Sequence, residues 1–213
     1  MYGVNDYTGV PLMTAEILFP TTLMPDDDWW HALWPDPRRV LDDIGITPGM
    51  AVVDLCCGNG HFTAPLCSLA APGQVTGIDI DEHLLGATIH ACAPFDNFSP
   101  ILADARDIDT LLDNPVDYVL IANTFHGVPD KQTLSRAVHA ALRSGGVFTV
   151  INWYPRPREE TMVLDQPRGP DTTLRMSTEA VAAEVEPAGF RLDTIADVGP
   201  YHYGAVFTKN TGR

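Results

Sequence analysis

Basic residues are scarce in this chain of 213 residues. Thirteen Lys and Arg residues stand against 28 Asp and Glu residues, which gives a net charge of −15 and a sequence pI near 4.5. A protein that binds DNA or RNA needs a basic face for the phosphates, so we expect no nucleic-acid partner. The single basic concentration lies in a Pro- and Gly-rich stretch and comprises Arg156, Arg158, Arg168 and Arg175. We interpret it first as a solvated loop, with an anionic substrate group as the alternative.

Long apolar runs and a cysteine framework are also missing. No apolar segment reaches the length of a membrane span, and no basic-then-apolar signal peptide opens the chain. The four cysteines follow neither a zinc-like nor a disulfide spacing; they are Cys56, Cys57, Cys67 and Cys92. We therefore expect reduced thiols, no metal, no membrane partner and a cytoplasmic location, with a redox or metal role of Cys56 and Cys57 as the weaker alternative. The length suits one domain with a full core, and a homodimer stays open.

The most informative segment is a buried strand that ends in an acid and a glycine loop. Residues 52–60 are Val-Val-Asp-Leu-Cys-Cys-Gly-Asn-Gly. The β-branched run suits a strand buried on both faces, while Gly58 and Gly60 allow a tight turn with exposed amides. A second apolar run ends in Asp79, 21 positions after Gly58, the spacing at which a second strand offers a carboxylate to ribose hydroxyls. Together the two signals predict a nucleoside cofactor.

Details of the loop distinguish between nucleoside cofactors. A dinucleotide fingerprint requires a third glycine, but His61, Phe62 and Thr63 follow Gly60. Asp54, before the loop, would repel a pyrophosphate and suits the ammonium group of an amino-acid moiety. The loop therefore fits S-adenosylmethionine better than NAD, and a ligand-free strand-to-helix turn is the structural alternative.

These motifs resemble those of the class I S-adenosylmethionine-dependent methyltransferases. Residues 53–60 resemble the family's motif I, usually written V-L-D-L-G-C-G-T-G, with Cys56 in place of its first glycine. If Cys56 lies at the strand end with a negative φ, a side chain should be tolerated at this position. Further family motifs are resembled in the family's order by residues 75–81, 103–105, 117–123 and 142–148. The resemblance covers about residues 37–209.

The alternation of helical and strand patterns predicts an α/β fold with a parallel sheet. Strands are expected to end near Asp54, Asp79, Ala103, Ala122 and Trp153, with helices around 61–70, 82–92, 130–142 and 177–188. The resemblance implies a Rossmann-like, doubly wound sheet of seven strands, closed by an antiparallel hairpin from the runs 190–198 and 203–209. Residues 1–36 lack clear periodicity and are expected to form an N-terminal cap or lid. Residues 37–213 would form the S-adenosylmethionine-binding methyltransferase domain.

In an open α/β sheet, ligands bind beyond the carboxyl ends of the strands, which singles out the residues after each strand. The expected cofactor contacts are Asp54, Cys57, Gly58, Gly60, Asp79, Ile80, Asp104, Ala105 and Asn123. Asp54 and the glycines would line the methionine end, while Asp79 would bind the ribose. By resemblance, Asp104 and Ala105 would meet the adenine; a helix N-cap is the alternative role of Asp104.

Candidate acceptor-side residues follow the fourth and fifth strands. His126 is the predicted proton acceptor, because an imidazole near its ordinary pKa suits a base at neutral pH. A structural histidine is the alternative, since proximity alone can suffice. Aromatic residues are expected to enclose an apolar acceptor: Trp29, Trp30, Phe125, Trp153 and Tyr201. Residues 26–34 would cover this pocket and move on binding, unless the tryptophans are fixed core.

Three functional hypotheses follow. The first is methyl transfer from S-adenosylmethionine to a small-molecule acceptor, with S-adenosylhomocysteine as the product. The others are an NAD-dependent oxidoreductase and a catalytically silent cofactor-binding module. Residues 125–126, 152–153 and 168–170 are loosely similar to the ubiquinone/menaquinone-biosynthesis branch. Asn152 stands where some of that branch have an acid, so the acceptor stays unidentified.

Overall fold

The chain folds around one twisted sheet, shown by a computed structural model that describes residues 25–211 apart from the side chain of Asp27. The part of the predicted cap before residue 25 lies outside this range. The strands are β1 (Val52–Leu55), β2 (Val75–Asp79), β3 (Phe98–Leu102), β4 (Val116–Ala122), β5 (Leu142–Trp153), β6 (Met162–Val163), β7 (Gln166–Pro167), β8 (Phe190–Asp197) and β9 (His202–Lys209). Seven of them form the main sheet, in the order β3-β2-β1-β4-β5-β9-β8, and β6 pairs with β7 separately.

The sheet is mostly parallel, as predicted. Strands β1 to β5 pair in parallel, whereas β9 pairs antiparallel with both β5 and β8. The expected C-terminal hairpin is therefore present, and its second strand inserts between β5 and β8. Because β1 to β4 run in one direction, their carboxyl ends meet along one edge beside the loop that starts at Cys56. The fold is the predicted Rossmann-like, doubly wound sheet.

Helices cover both faces of the sheet. They are α1 (Asp27–Leu33), α2 (Pro37–Asp43), α3 (Thr63–Ala70), α4 (Glu82–Cys92), α5 (Ile108–Leu111), α6 (Lys131–Ala141) and α7 (Thr178–Val185). Alternate residues of β4 enter two different apolar clusters: Val119 and Ile121 join one, and Tyr118 and Leu120 the other. Side chains of α5, α6 and α7 complete the first cluster, and those of α1, α2 and α3 complete the second. This alternation explains the nearly continuous apolar runs of the central strands.

The segment before the sheet differs from the prediction, because residues 27–33 form a helix. The sequence carried the signal: Trp29, Trp30, Leu33 and Trp34 are spaced as one face of a helix. All four side chains are buried in the second cluster. Trp34 packs with its ring centroid 4.4 Å from that of His202 and 5.3 Å from that of Phe62. This short helix is therefore attached to the core by its tryptophans.

Candidate cofactor and acceptor site

The glycine loop after β1 is held by hydrogen bonds from neighbouring elements. The Gly58 amide donates to Asp79 Oδ2 at 2.8 Å, and the Thr88 hydroxyl donates to the Gly58 carbonyl at 2.7 Å. Gly60 has a φ of +86°, and a Cβ there would lie 3.0 Å from the Thr88 Cα. Glycine at position 60 thus permits both the turn and the close approach of α4. The result is a rigid, compact cradle at the end of β1.

Cys56 does not meet the condition of a negative φ. Its φ is +62°, in the left-handed region that glycine adopts more readily than other residues. This conformation explains why the family has a glycine at this position, and it implies backbone strain at Cys56. Burial, together with the charges of Asp79 and Asp54, raises the pKa of the Cys56 thiol. The thiol stays protonated, and a protonated thiol is a poor nucleophile and metal ligand.

Asp54 is a buried carboxyl group at the mouth of the cradle. Its side chain is 2% exposed, and the Thr63 hydroxyl donates to its Oδ2 at 2.6 Å. The pKa of Asp54 is raised to about 7, chiefly by burial; the hydrogen bond from Thr63 opposes this rise, and the charge of Asp79 contributes to it. A carboxylate that is costly to ionise alone gains most from a cationic partner. Asp54 is therefore suited to an ammonium group.

One cavity of about 300 Å³ joins the cradle to the ends of β4 and β5. Its cofactor-side lining includes Asp54, Cys57, Gly58 and Asn123. Neither the side-chain oxygen nor the nitrogen of Asn123 has a hydrogen-bond partner within residues 25–211, although both atoms are buried. Asn123 also has a φ of +61°, a conformation in which asparagine is enriched. The turn thus presents an amide that is ready to bind a ligand.

His126 lines the same cavity from the 3₁₀ turn Phe125–Gly127. Its Nδ1 lies 3.0 Å from Asn152 Oδ1, and the Trp153 backbone amide donates to that same oxygen at 3.3 Å. Because Asn152 presents an acceptor, the proton of the neutral imidazole lies on Nδ1. The buried Nε2, which has no partner in the described part of the chain, therefore carries the lone pair.

The expectation of an ordinary pKa for His126 is wrong. The pKa of His126 is lowered to about 4, chiefly by burial; the hydrogen bond to Asn152 opposes this shift, and the charges of Lys131 and Arg175 contribute to it. The imidazole is thus neutral throughout the physiological pH range. A base with so low a pKa takes up a proton weakly, so His126 suits an acceptor whose own proton is acidic.

The residues expected near the ribose and adenine lie outside the cavity lining. Asp79 Oδ1 accepts from the Asp81 amide at 2.9 Å, so each of its oxygens already binds a backbone N–H. Asp104 accepts from the Arg106 backbone and guanidinium and precedes the 3₁₀ turn that begins at Ala105. This is the geometry of the N-cap alternative. Ile80, which is half-buried, follows Asp79 at the same edge.

Of the five expected acceptor contacts, three line the cavity: Trp29, Trp30 and Trp153. The other two do not. Phe125 is fully buried and packs on Phe148 in the first apolar cluster, because the 3₁₀ turn directs it into the core. Tyr201 stacks on Trp153 at 6.3 Å between ring centroids, and its hydroxyl donates to the Met162 carbonyl. Both predictions are corrected: Phe125 supports the turn, and Tyr201 supports Trp153.

The segment after β5 contributes more to the cavity than its sequence pattern predicts. Arg158, Arg168, Gly169 and Pro170 line the cavity, whereas a solvated loop was the first interpretation. The concentration of arginines in this segment was the sequence feature that indicated a binding role. Asn152, which orients His126, stood out only as a departure from a motif, although a polar residue inside an apolar strand indicates a buried hydrogen bond.

Two other kinds of site have no candidate in the described part of the chain. Among the residues that the structure describes, no group of three or more His, Cys, Asp or Glu side chains is arranged to hold a metal ion. No helix within residues 25–211 has the length and apolar character needed to cross a membrane.

Comparison with known proteins gives a consistent result. Residues 46–184 match a family model described as a methyltransferase domain. The demethylmenaquinone methyltransferase of Staphylococcus aureus (strain MRSA252) is 33% identical over 122 residues, which are 57% of this chain and 49% of that protein. The chain thus spans about half the length of this curated relative.

Solved structures show the same fold. A SAM-dependent methyltransferase from Aquifex aeolicus matches with a TM-score of 0.71 and 21% identity, over 86% of this chain and 93% of the other. A putative type 11 methyltransferase from Sulfolobus solfataricus matches with a TM-score of 0.61 and 27% identity, over 76% and 85%.

The cavity also fits the cofactor of such enzymes. Gly58 lines the cavity without a side chain. The buried carboxyl Asp54 suits an ammonium group, and the amide of Asn123 is unpartnered within the described residues. With most of the chain matched by the family model, we conclude that the protein belongs to the S-adenosylmethionine-dependent methyltransferases.

Proposed function

We propose that the protein transfers a methyl group from S-adenosylmethionine to a small-molecule acceptor. The observation that carries this proposal is a single cavity of about 300 Å³ that contains the cofactor cradle, His126 and Trp153. A volume of this size is at the lower end for small-molecule sites, so only a small acceptor, or part of one, would fit beside the methionine moiety. The acidic character of the chain supports a small molecule over a nucleic acid.

The cofactor contributes an electrophilic methyl group on a sulfonium. We infer that Asp54 holds the ammonium group of its methionine moiety and that the Asn123 amide binds a nearby polar group. Each carboxylate oxygen of Asp79 accepts one backbone hydrogen bond and can accept another. The ribose hydroxyls would donate to these remaining acceptor positions. Trp29 and Trp30 exclude water from the cavity, since both line it and are largely buried.

His126 would bind the proton of the acceptor's nucleophile through Nε2, with Asn152 fixing the tautomer. Because the pKa of His126 is about 4, its charge hardly changes above about pH 5.5. The histidine would therefore orient an acidic nucleophile and accept its proton, while the methyl group exchanges its bond to the sulfonium sulfur for a bond to the nucleophile. Titration of His126 should therefore cause no rise or fall of the turnover rate with pH above about pH 5.5.

The test is methyl transfer from S-adenosylmethionine, carrying a labelled methyl group, to a panel of phenols, thiols, amines and quinols. Demethylmenaquinone belongs in the panel because the Staphylococcus relative is named for it. His126→Ala should lower turnover by about 10²-fold, the usual scale for the loss of a general base, with little change in S-adenosylhomocysteine affinity. His90→Ala, on the exposed face of α4, is the matched control and should leave turnover unchanged.

One outcome would contradict the role of His126, and another would contradict the proposed function. Full turnover in the His126→Ala variant would leave proximity alone as the source of catalysis. Tight binding of S-adenosylhomocysteine without methylation of any acceptor would instead support the silent cofactor-binding module.

A further inference from the structure

The cavity contains positive charge that the cofactor contacts do not explain. Arg158 and Arg168 line it together with His126. Neither arginine takes part in any ion pair found within residues 25–211. The nearby acids are Glu159 and Asp171, and the Asp171 carboxylate already accepts from the amide and hydroxyl of Thr173. Arg158 Nε donates to the Gly169 carbonyl at 3.1 Å, so a backbone oxygen holds this guanidinium in place of a carboxylate.

The segment that carries Arg168 is built into the site. Gly169 has a φ of +91°, and a Cβ there would lie 2.8 Å from the Trp153 ring, so glycine lets the backbone rest on the indole. Behind it, the buried Arg175 donates to the Arg168 and Pro170 carbonyls at 3.1 and 3.2 Å. These bonds occupy both backbone carbonyls and fix the position of this segment.

The side chain of Arg168 is preorganised on the cavity side. Its guanidinium carbon lies 5.4 Å from the centroid of the Trp29 ring, a cation–π contact that restrains the side chain. Its Nε is buried and has no hydrogen-bond partner in the part of the chain described here. A buried donor without a partner is costly, so a ligand that accepts from it would gain that free energy.

We propose that the methyl acceptor carries a carboxylate, which Arg168 binds with the help of Arg158. A guanidinium presents its donors as a planar fork that matches the two oxygens of a carboxylate. Both arginines follow β5, on the same side of β1 as His126, so they would anchor the acceptor. The cofactor's methionine moiety would lie at Asp54. This inference rests on the proposed function and names the substrate class for the same cavity.

The test compares benzoate with benzamide, its neutral isostere, by ligand-observed NMR titration of the protein saturated with S-adenosylhomocysteine. The wild type should bind benzoate roughly tenfold or more tightly than benzamide, the scale of hydrogen bonds to a charged group. Arg168→Gln should abolish this preference. Arg156→Gln is the matched control, because Arg156 is exposed over Tyr154 and does not line the cavity; it should keep the preference.

Equal binding of the two probes, no binding of benzoate, or an undiminished preference in Arg168→Gln would overturn the inference. A loss of S-adenosylhomocysteine affinity in Arg168→Gln with an unchanged probe ratio would also overturn it, by assigning the arginine to the carboxylate of the cofactor. Failure of the proposed function is seen separately, either as absence of S-adenosylhomocysteine binding or as binding without methylation of any acceptor. If S-adenosylhomocysteine does not bind, the probes are compared on the unliganded protein. Methylation of neutral acceptors in preference to their carboxylate analogues would refute the inference and leave the function intact.

Discussion

Replacing Asp54 by asparagine should stabilise the protein and at the same time weaken cofactor binding. The carboxyl is 2% exposed, and its pKa rises from 3.8 to about 7 in the folded chain. This rise corresponds to about 4 kcal/mol at about 1.4 kcal/mol per pH unit, an upper limit for the cost of ionising the buried group. Asparagine is uncharged, and its side-chain oxygen can still accept the hydrogen bond from Thr63.

The sign of the pH dependence follows from the raised pKa. Between about pH 4 and 7 the folded wild type keeps a proton that the unfolded chain has released, so its stability falls as the pH rises through this window. The advantage of Asp54→Asn should therefore be near zero at the lower end of the window, grow towards its upper end and stay constant above it. Urea denaturation at several pH values measures it, and Asp113→Asn, at an exposed position, should show little change.

Cofactor binding should respond in the opposite direction. Wild-type affinity for S-adenosylhomocysteine should increase by up to about tenfold per pH unit below about pH 7, because the ammonium group requires the ionised carboxylate. The Asp54→Asn variant should bind weakly and without this pH dependence, as calorimetric titration would show. A variant that is less stable than the wild type at about pH 8, or that binds S-adenosylhomocysteine equally well there, would contradict these roles of Asp54.

Further predictions concern other parts of the site. Asp79→Ala should weaken S-adenosylhomocysteine binding at least about tenfold; unchanged affinity by calorimetry would remove Asp79 from the ribose site. Trp34→Ala should destabilise the fold by about 3–5 kcal/mol in urea denaturation, whereas Trp29→Ala should mainly lower acceptor turnover; the reverse pattern would contradict these roles. Cys56→Gly should change stability by less than about 1 kcal/mol, since relief of strain opposes the added chain entropy, and a larger loss would show an unexpected packing role. DNA and RNA should not be bound in a gel-shift assay at low salt, where tight, salt-sensitive binding would overturn the electrostatic argument.

The elements that local patterns determine were predictable from the sequence. Apolar runs that end in Asp54 and Asp79 located β1 and β2, because strands buried on both faces lack polar interruptions. The hairpin of β8 and β9 came from family resemblance, since two short strand patterns do not by themselves specify antiparallel pairing. Helix α1 was not predicted, although the apolar residues between Trp29 and Trp34 have helical spacing. The helix is short, and the acids and prolines on either side of it interrupt the pattern.

The features that tertiary structure creates were not predictable. The low pKa of His126 results from burial and the raised pKa of Asp54 from burial and the neighbouring Asp79, and neither environment is visible along the chain. Phe125 and His126 are adjacent, yet a 3₁₀ turn sends one into the core and the other to the cavity. The position of Arg168 depends on the buried Arg175, which donates to the Arg168 carbonyl and lies over the Trp153 ring. This contact between separate parts of the fold cannot be predicted from the sequence.

The most direct test of the central claim is a calorimetric titration of the protein with S-adenosylhomocysteine and, separately, with NAD. A cradle with a buried acid and no third glycine should bind S-adenosylhomocysteine at one site per chain and show no heat with NAD. Gly60→Val should abolish that binding, because a side chain at position 60 would meet Thr88 and deform the cradle. Binding of NAD in place of S-adenosylhomocysteine would contradict the assignment of this cavity.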